Sequence, residues 1–325
     1  MPAVSVTDSY DALLTTTAPF RAKQMWDNLV GQITLLDLID ADATKNVATT
    51  GHRVEVPLLY GSNSTVGRRG DYDTVDLTKQ DGITMAFVPW KDLSGSVVIS
   101  DREKAMNSGR ERILSLLESK MLQLEDSMKN QLNTDLFSAG SSTNQVYGLQ
   151  YWLRTSTATV ASIDDSTNTW WQNKSTTSIG SFASNGRDKL RTGYNNASRG
   201  AGKDQPSHGI TTQSVFEFLE KTTEPAERYD IASGGDNPTL KIGTERLKFK
   251  GASVTWDADC PSGTFYFLNV RSKQIQWNAL KGHDFDMTPF VRPADQRVTA
   301  SIMSVTANLT FTIRKRNWVG TVITA

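Results

Sequence analysis

A long amphipathic run in the first half of the chain constrains its fold more than any other feature. Ser100 and Glu103, and again Ser108 and Glu111, stand at capping-box spacing. We therefore predict a short helix followed by a long one at 108–137, which at about 1.5 Å per residue would span roughly 40 Å. Apolar residues of the long helix recur every three or four positions, at Ile113, Leu117, Met121, Leu124, Met128, Leu132 and Leu136. A helix of this length exceeds what an ordinary domain needs.

The stretch before this helix, 51–95, predicts a long two-stranded ribbon. Residues 52–60 alternate between apolar and polar side chains, and Pro57 marks the strand as an edge. A second strand follows at Ile83–Trp90. The connection at 61–79 is polar, contains three glycines and is too long for a tight turn. Because two strands alone are marginally stable in water, we expect the ribbon to need another surface to lie on.

The other segments predict a mixed helix-and-sheet protein. Predicted in chain order are an extended arm at 1–20, a short helix at 20–39, a loop-rich region at 138–210, a helix at 211–231, short strands between 240 and 278, a cleanly alternating strand at 305–313 and a last strand at Trp318–Ile323. No internal repeat is evident.

Composition excludes several classes of protein. Thirty-five basic residues balance thirty-five acidic ones, so net charge draws the chain toward neither nucleic acid nor an anionic membrane. The single cysteine, Cys260, cannot form an intrachain disulfide. No signal-peptide pattern and no apolar run of about 18 residues is present, so we expect no export signal and no membrane span.

Motifs for catalysis or cofactor binding are weak. His283 with Asp284 and Asp286 could form a small metal or acid–base cluster, although an ordinary polar loop explains them better. The glycines around Gly202–Lys203 fail the phosphate-loop pattern, because Asp204 stands where Ser or Thr is required. Cys260 has no nearby histidine. We therefore expect no cofactor, no metal and no enzymatic activity.

Two basic patches and an aromatic pair remain as candidate contact sites. Arg68–Arg69 and Arg314–Arg316 could touch phosphate, but a solvated face or a salt bridge between subunits is the better explanation. Trp170–Trp171 could stack on bases, yet adjacent tryptophans beside a loop are more often core or interface anchors.

Several local stretches, in this order, carry a family resemblance: Tyr147–Leu149 after the long helix, Ile163–Ser166 leading into Trp170–Gln172, Leu247–Gly251 with Val254 and Asp257, Gly263–Asn269, and Arg316–Gly320. Together with the order of elements, they resemble the major capsid proteins of tailed bacteriophages, which have the Hong Kong 97 fold. The resemblance covers nearly the whole chain.

The resemblance implies an α+β capsid fold with four parts. They are an N-terminal arm at 1–50, an extended loop or β-ribbon at 51–95, a peripheral domain at 96–145 and 300–325 that includes a spine helix at 108–137, and an axial domain with a mixed sheet at 146–299.

It also implies a structural function. Family members form pentamers and hexamers that tile an icosahedral shell around double-stranded DNA, often first as a procapsid. We expect the ribbon to lie across a neighbouring subunit, and the protein to reside in the virion after assembly in the host cytoplasm. Implied partners are other copies of the chain, a portal protein, packaged DNA contacted without sequence specificity, and a decoration protein in some relatives. The lack of a long helical prefix suggests a separate scaffolding protein.

Residues proposed from the sequence to contact neighbouring subunits are Arg68, Arg69, Asp71, Asp73, Lys79, Trp90, Arg314 and Arg316. Some relatives cross-link a loop lysine to an asparagine next door. Lys79 and Lys91 are lysines of the extended loop, but no motif identifies either of them as a cross-linking residue.

Three alternatives remain open. A bacterial encapsulin shares the fold but encloses a cargo enzyme, although the phage-type stretches favour a virion. A hydrolase with a dispersed active site could lie in 138–210, because a single sequence does not reveal non-contiguous triads. An all-β carbohydrate-binding or tail protein conflicts with the long helix at 108–137.

Overall fold

The computed structural model of the protein describes residues 35, 38–39, 45–48, 51–106, 110–200, 204–223 and 247–324. Some predictions lie outside these residues. They are the arm at 1–20, most of the helix at 20–39, the second capping box at Ser108, the Gly202–Lys203 pair, and the segment between 224 and 246.

The described chain contains both helices and strands. The helices are α1 (Asp101–Met106), α2 (Arg110–Phe137), α3 (Leu149–Trp152), α4 (Arg187–Ala197) and α5 (Gln213–Thr223). The strands are β1 (Lys45–Ala48), β2 (Arg53–Leu59), β3 (Ile83–Pro89), β4 (Lys91–Ser100), β5 (Thr159–Val160), β6 (Ile163–Asp164), β7 (Lys174–Thr176), β8 (Gly180–Ser181), β9 (His208–Thr211), β10 (Leu247–Phe249), β11 (Ala252–Trp256), β12 (Phe265–Leu268), β13 (Ile275–Leu280), β14 (Asp286–Met287), β15 (Val298–Phe311), β16 (Trp318–Gly320) and β17 (Ile323–Thr324).

Helix α2 confirms the long helix expected from periodicity. It has 28 residues, and its predicted apolar stripe is buried at Leu117, Met121, Met128, Leu132 and Leu136. Near the middle of the helix the stripe meets β4, which it crosses at Gly95. A Cβ atom at Gly95 would collide with the Leu124 side chain, so the glycine permits this close approach.

The first predicted capping box is confirmed at the start of α1. The Ser100 N–H donates to Glu103 Oε2 over 3.0 Å, and the Glu103 N–H donates to Ser100 Oγ over 3.1 Å. This corner connects β4 to the helical segment.

A five-stranded sheet packs against α2. Its order is β1-β13-β15-β14, with β4 paired to β15 along ten residues. Side chains of β4 and β15 alternate between α2 and the opposite face, which buries Val97, Ile99, Met303 and Val305. The sequence predicted the last part of β15 but neither its first seven residues nor β4.

A six-stranded sheet has the order β10-β11-β9-β12-β16-β7. It carries a second hydrophobic core, in which Phe265, Phe267 and Trp318 pack together with Leu190 and Tyr194 of α4. The short strands predicted between 240 and 278 are found here, except that Ile275–Leu280 belongs to the five-stranded sheet.

The two sheets do not follow the predicted domain limits residue by residue. Strands β13 and β14 lie in the five-stranded sheet although their residues fall within 146–299, and β16 lies in the six-stranded sheet although it falls within 300–325. The α+β fold class is confirmed, while the four-part division stays a prediction.

Candidate assembly surface

The inner face of the ribbon β2–β3 packs on its own chain. Val56, Leu58, Ala86 and Val88 are buried in the core that contains α2. The N–H of Phe87 also donates to a loop carbonyl of the 158–171 segment over 3.1 Å. The base of the ribbon therefore lies on a second layer within the same subunit, as two strands need, and its contact with a neighbouring subunit stays a prediction.

The opposite face of the ribbon carries uncovered apolar side chains. We call Pro57, Leu59, Ile83 and Met85 the ribbon outer face. Leu59 lies opposite Ile83, and Pro57 lies opposite Met85, so the four side chains form one patch. Leu59 is 80% exposed, Ile83 68% and Met85 46%. Contiguous exposed apolar surface of this kind marks an interaction site.

The connection between β2 and β3, residues 60–82, continues this exposure, and we call it the ribbon tip. It presents Val66, Tyr72, Val75 and Leu77 to solvent, with Tyr72 101% and Leu77 90% exposed. Four large apolar side chains in one solvent-exposed loop are not accounted for by packing within the chain.

The ribbon tip is nevertheless held in shape by its own polar groups. Arg69 donates to the carbonyl of Thr74 over 2.5 Å and to that of Thr65 over 2.9 Å. The Gly70 N–H donates to Asp73 Oδ2 over 2.7 Å. These hydrogen bonds within the loop hold it in one conformation, in which its apolar side chains face solvent.

The sequence-predicted contact residues are divided among different environments. Arg68, Asp71 and Lys79 are exposed on the ribbon tip, next to Arg69 and Asp73. Trp90 is half-buried and donates its indole N–H to the carbonyl of Gly51 over 2.9 Å, and Arg316 is half-buried in the turn before β16. The contact role of these seven residues stays a prediction.

Arg314 lies apart from the others, because its guanidinium is buried inside its own chain. It donates to Asp165 Oδ2 over 3.2 Å, to the Trp152 carbonyl over 2.8 Å and to the Trp171 carbonyl over 3.0 Å. A further bond reaches Asn173. These bonds tie the 152–173 segment to the end of β15, so Arg314 offers no surface to a neighbouring subunit in this conformation.

Burial lowers the pKa of Arg314 to about 10, while the Asp165 carboxylate opposes that shift. The guanidinium therefore stays charged at neutral pH. Its partner is equally buried, so the pair is a charged connection enclosed by Trp152 and Trp171. Sequence analysis assigned Arg314 to a surface patch because its partners lie about 150 positions away along the chain.

The five-stranded sheet has an apolar patch on the face turned away from α2. Val98, Ala300 and Val291 lie side by side across three neighbouring backbone segments, and Ile302 lies two residues along β15. Val98 is 42% exposed, Ile302 49% and Val291 60%. We call these four residues the outer sheet patch. Sequence analysis missed it, although the alternation of 92–99 contains the signal.

Ion pairing and packing account for the other candidate sites among the described residues. Asp284 pairs with Lys45 over 2.9 Å, and the described residues contain no group of His, Cys, Asp and Glu side chains that could hold a metal. Cys260 is buried, and burial raises the pKa of its thiol. Trp171 is buried and Trp170 stacks on Tyr60 at 5.2 Å, which confirms the packing interpretation of this pair.

The hydrolase alternative gains no support from the described residues. Hydrogen bonds from neighbouring residues hold the pKa values of Asp76, Glu103 and Asp164 below their usual range. An acid catalyst would instead need a raised pKa. Within the described chain, no helix is long and apolar enough to span a membrane.

Comparison with solved structures identifies the fold. The capsid asymmetric unit of cyanophage A-1(L) matches with a TM-score of 0.67 and 16% identity, over 90% of this chain and 93% of that one. The capsid of a native GTA particle matches with a TM-score of 0.60 and 12% identity, over 88% and 91%. The chain has the Hong Kong 97-type capsid fold.

The capsid fold is not restricted to phage particles. The holo-SrpI encapsulin complex from Synechococcus elongatus also matches, with a TM-score of 0.55 and 11% identity over 89% of this chain and 88% of that one. No protein-family model matches the sequence, and no curated protein sequence does either. Structural similarity thus confirms the predicted capsid fold. Because the sequence identities are only 11–16%, the matches show the fold and nothing further.

Proposed function

We propose that the protein is a shell-forming capsid subunit, and that the ribbon outer face and ribbon tip are its main contacts with other copies. The observation that carries this proposal is the exposure of apolar side chains along the ribbon on a chain with the capsid fold. Burying Leu59, Ile83, Tyr72 and Leu77 against a neighbour would remove this surface from water, at about 25 cal/mol per Å².

The outer sheet patch of a neighbouring copy is the surface that fits the ribbon best. Both surfaces expose large apolar side chains, which lie on β-strands in the ribbon outer face and on a loop in the ribbon tip. Arg292 and Arg297 lie next to the patch along the chain, with Arg292 paired to Asp101, while the ribbon tip carries Asp71, Asp73 and Asp76 within six residues. A contact between two different surfaces is heterologous, and it produces a ring when the rotation closes. Pentamers and hexamers are rings of this kind.

We further propose that the assembled shell is the head of a tailed phage and encloses double-stranded DNA. The phage-type stretches of the sequence and the likeness to cyanophage and GTA capsids support a virion. A scaffolding protein, a portal protein and a decoration protein are the partners such a head would use. The DNA would be contacted on the inner face without sequence specificity, and assembly would take place in the host cytoplasm.

The four-part division is proposed with the sheets as its basis. The extended loop keeps the range 51–95, and the peripheral domain is built on α2 and the five-stranded sheet, which adds β13 and β14 to the predicted range. The axial domain is built on the six-stranded sheet, which adds β16. The arm at 1–50 is retained as predicted, with β1 near its end pairing with β13 of the five-stranded sheet.

Substitutions on the ribbon tip test the shell proposal. We expect Leu77→Asp together with Tyr72→Ser to abolish rings and shells in negative-stain images while leaving the melting temperature unchanged, because both side chains are solvent-exposed in the single chain. Ile313→Ser, at another exposed apolar position, is the matched control and should assemble normally. Normal assembly of the Leu77→Asp/Tyr72→Ser variant would overturn the assigned contact.

The encapsulin alternative rests on the same fold and is tested by the shell contents. Particles purified from the native source should contain nuclease-protected double-stranded DNA of uniform length. A protein cargo in place of DNA would support the encapsulin alternative.

A further inference from the structure

Strand β4 has one paired edge and one open edge. Ala300 and Val291 exchange backbone hydrogen bonds of 2.9 Å in both directions, so the peptide groups of Ala300 point away from β4. Val98 lies opposite Ala300, and its N–H and C=O therefore point away from β15. By the same alternation, the peptide groups of Asp92, Ser94 and Ser96 also point away from β15.

Little on the described chain occupies this edge. No described strand pairs with it. Lys120 of α2 donates to the Val98 carbonyl over 2.9 Å, and that carbonyl retains a second lone pair. A groove of about 320 Å³ runs beside the edge, between β4 and the Lys120–Ser127 stretch of α2. The open edge is thus accessible along Asp92–Val98.

The other long exposed edge of the chain is protected in a way that this one is not. On the ribbon, the Phe87 N–H points away from β2, so the matching residues of β2 also face outward. Pro57 on that edge has no N–H to offer, and Arg53 and Glu55 form an ion pair along it. Proline and charge are the usual protection against strand addition.

The open edge of β4 carries Ser94–Gly95–Ser96 at its centre instead. Small side chains leave a flat strand that another strand can approach closely. We propose that this edge pairs antiparallel with the same edge of a second copy across a two-fold axis, which joins two five-stranded sheets into one. The proposal rests on the shell function, because rings need a second kind of contact to join them, and a two-fold contact supplies it.

One register pairs all four outward residues. Centred on Gly95, it sets Asp92 opposite Val98 of the second copy and Ser94 opposite Ser96 of the second copy. The Asp92 side chain, which accepts a hydrogen bond from Thr306 Oγ1, then lies beside Val98 of the second copy on the face turned away from α2. On the α2 side, the two half-buried Leu124 side chains meet over the paired Gly95 residues. The self-complementary register and the apolar Leu124 contact identify a second copy as the occupant.

Disulfide trapping tests the register. In a Cys260→Ser background, full-length chains with Ser94→Cys are mixed with chains with Ser96→Cys that carry a mass tag, and the assembled particles are oxidised. Paired residues would lie about 5.5 Å apart between Cα atoms, within disulfide range. We expect the mixed disulfide to exceed either same-site disulfide at least tenfold. Ser262→Cys, on an exposed turn, is the control and should remain uncross-linked.

A second variant tests the contact without chemistry. Ser96→Lys places two ammonium groups beside the axis, and we expect rings without closed shells, whereas Ser262→Lys should form closed shells. Closed shells from Ser96→Lys would overturn the β4 pairing, and so would shells of the cysteine variants that lack the mixed disulfide. Either result would leave the shell proposal standing. A wild-type chain that forms neither rings nor shells would overturn the shell proposal, and the disulfide measured in solution would then decide the pairing separately.

Discussion

At the scale of single residues, two positions hold segments together that are far apart in sequence. Arg314 connects β15 to the 152–173 segment through charged hydrogen bonds in a buried site. Gly148 lies where the segment after α2 passes directly over the last turn of that helix. Gly148 lies in a stretch that carried the family resemblance, Tyr147–Leu149, and Arg314 lies two residues before another, Arg316–Gly320. Their side-chain environments depend on tertiary contacts, which local sequence does not encode.

Replacing Arg314 tests the buried connection. Arg314→Ala leaves the Asp165 carboxylate buried without its cation, so we expect a loss of about 3–5 kcal/mol in the free energy of unfolding, measured by urea denaturation. Lys315→Ala, at the exposed neighbouring position, should change that free energy by no more than about 0.5 kcal/mol. Equal effects of the two substitutions would contradict the assigned role.

Replacing Gly148 tests the close approach. A Cβ atom there would lie 2.5 Å from the carbonyl oxygen of Leu136, and backbone cannot move aside as a side chain can. We expect Gly148→Ala to cost about 1–3 kcal/mol or more, seen as a lower urea midpoint. Gly67→Ala has no atom within 4 Å of the added methyl group and is the matched control. A Gly148→Ala chain as stable as Gly67→Ala would show that α2 and the following segment are not so tightly packed.

At the scale of elements, sequence periodicity was sufficient to predict a helix or strand where one face of that element is buried along its length. The long helix was predicted at 108–137 and is found at Arg110–Phe137, because its apolar stripe lies on the core. Strand β4 was missed, although Leu93, Gly95 and Val97 alternate with the polar residues Asp92, Ser94 and Ser96. Gly95 and the serines beside it resemble a turn, and their conformation follows from the close crossing of α2 and the long pairing with β15.

The β4–α1 corner gives a prediction on pH. The Ser100 N–H, followed by Lys120, lowers the pKa of Glu103 in the folded protein. A lowered folded-state pKa adds stability above the unfolded pKa, and this stability is lost as pH falls through the folded value. We therefore expect Glu103→Gln to lower the melting temperature at pH 7 and to lose this effect as pH falls below about 4. Glu217→Gln is the exposed control, and an effect of Glu103→Gln that persists at low pH would contradict the ionic contribution.

At the scale of the whole molecule, the chain exposes surfaces that its own fold does not explain. The ribbon outer face, the ribbon tip and the outer sheet patch all expose large apolar side chains to solvent. The open edge of β4 adds unpaired backbone groups. Sequence analysis correctly predicted the two-stranded ribbon, and the role of its exposed tip in assembly stays a prediction. It did not predict the two surfaces on the five-stranded sheet, because β4 contributes to both and was not recognised as a strand.

Cryo-electron microscopy of the full chain, expressed alone and with its neighbouring genes, tests the central claim most directly. The account predicts closed shells built from rings, in which the ribbon tip of one copy covers the outer sheet patch of the next. A chain that stays monomeric under both conditions, or shells in which Tyr72 and Leu77 remain in solvent, would contradict it.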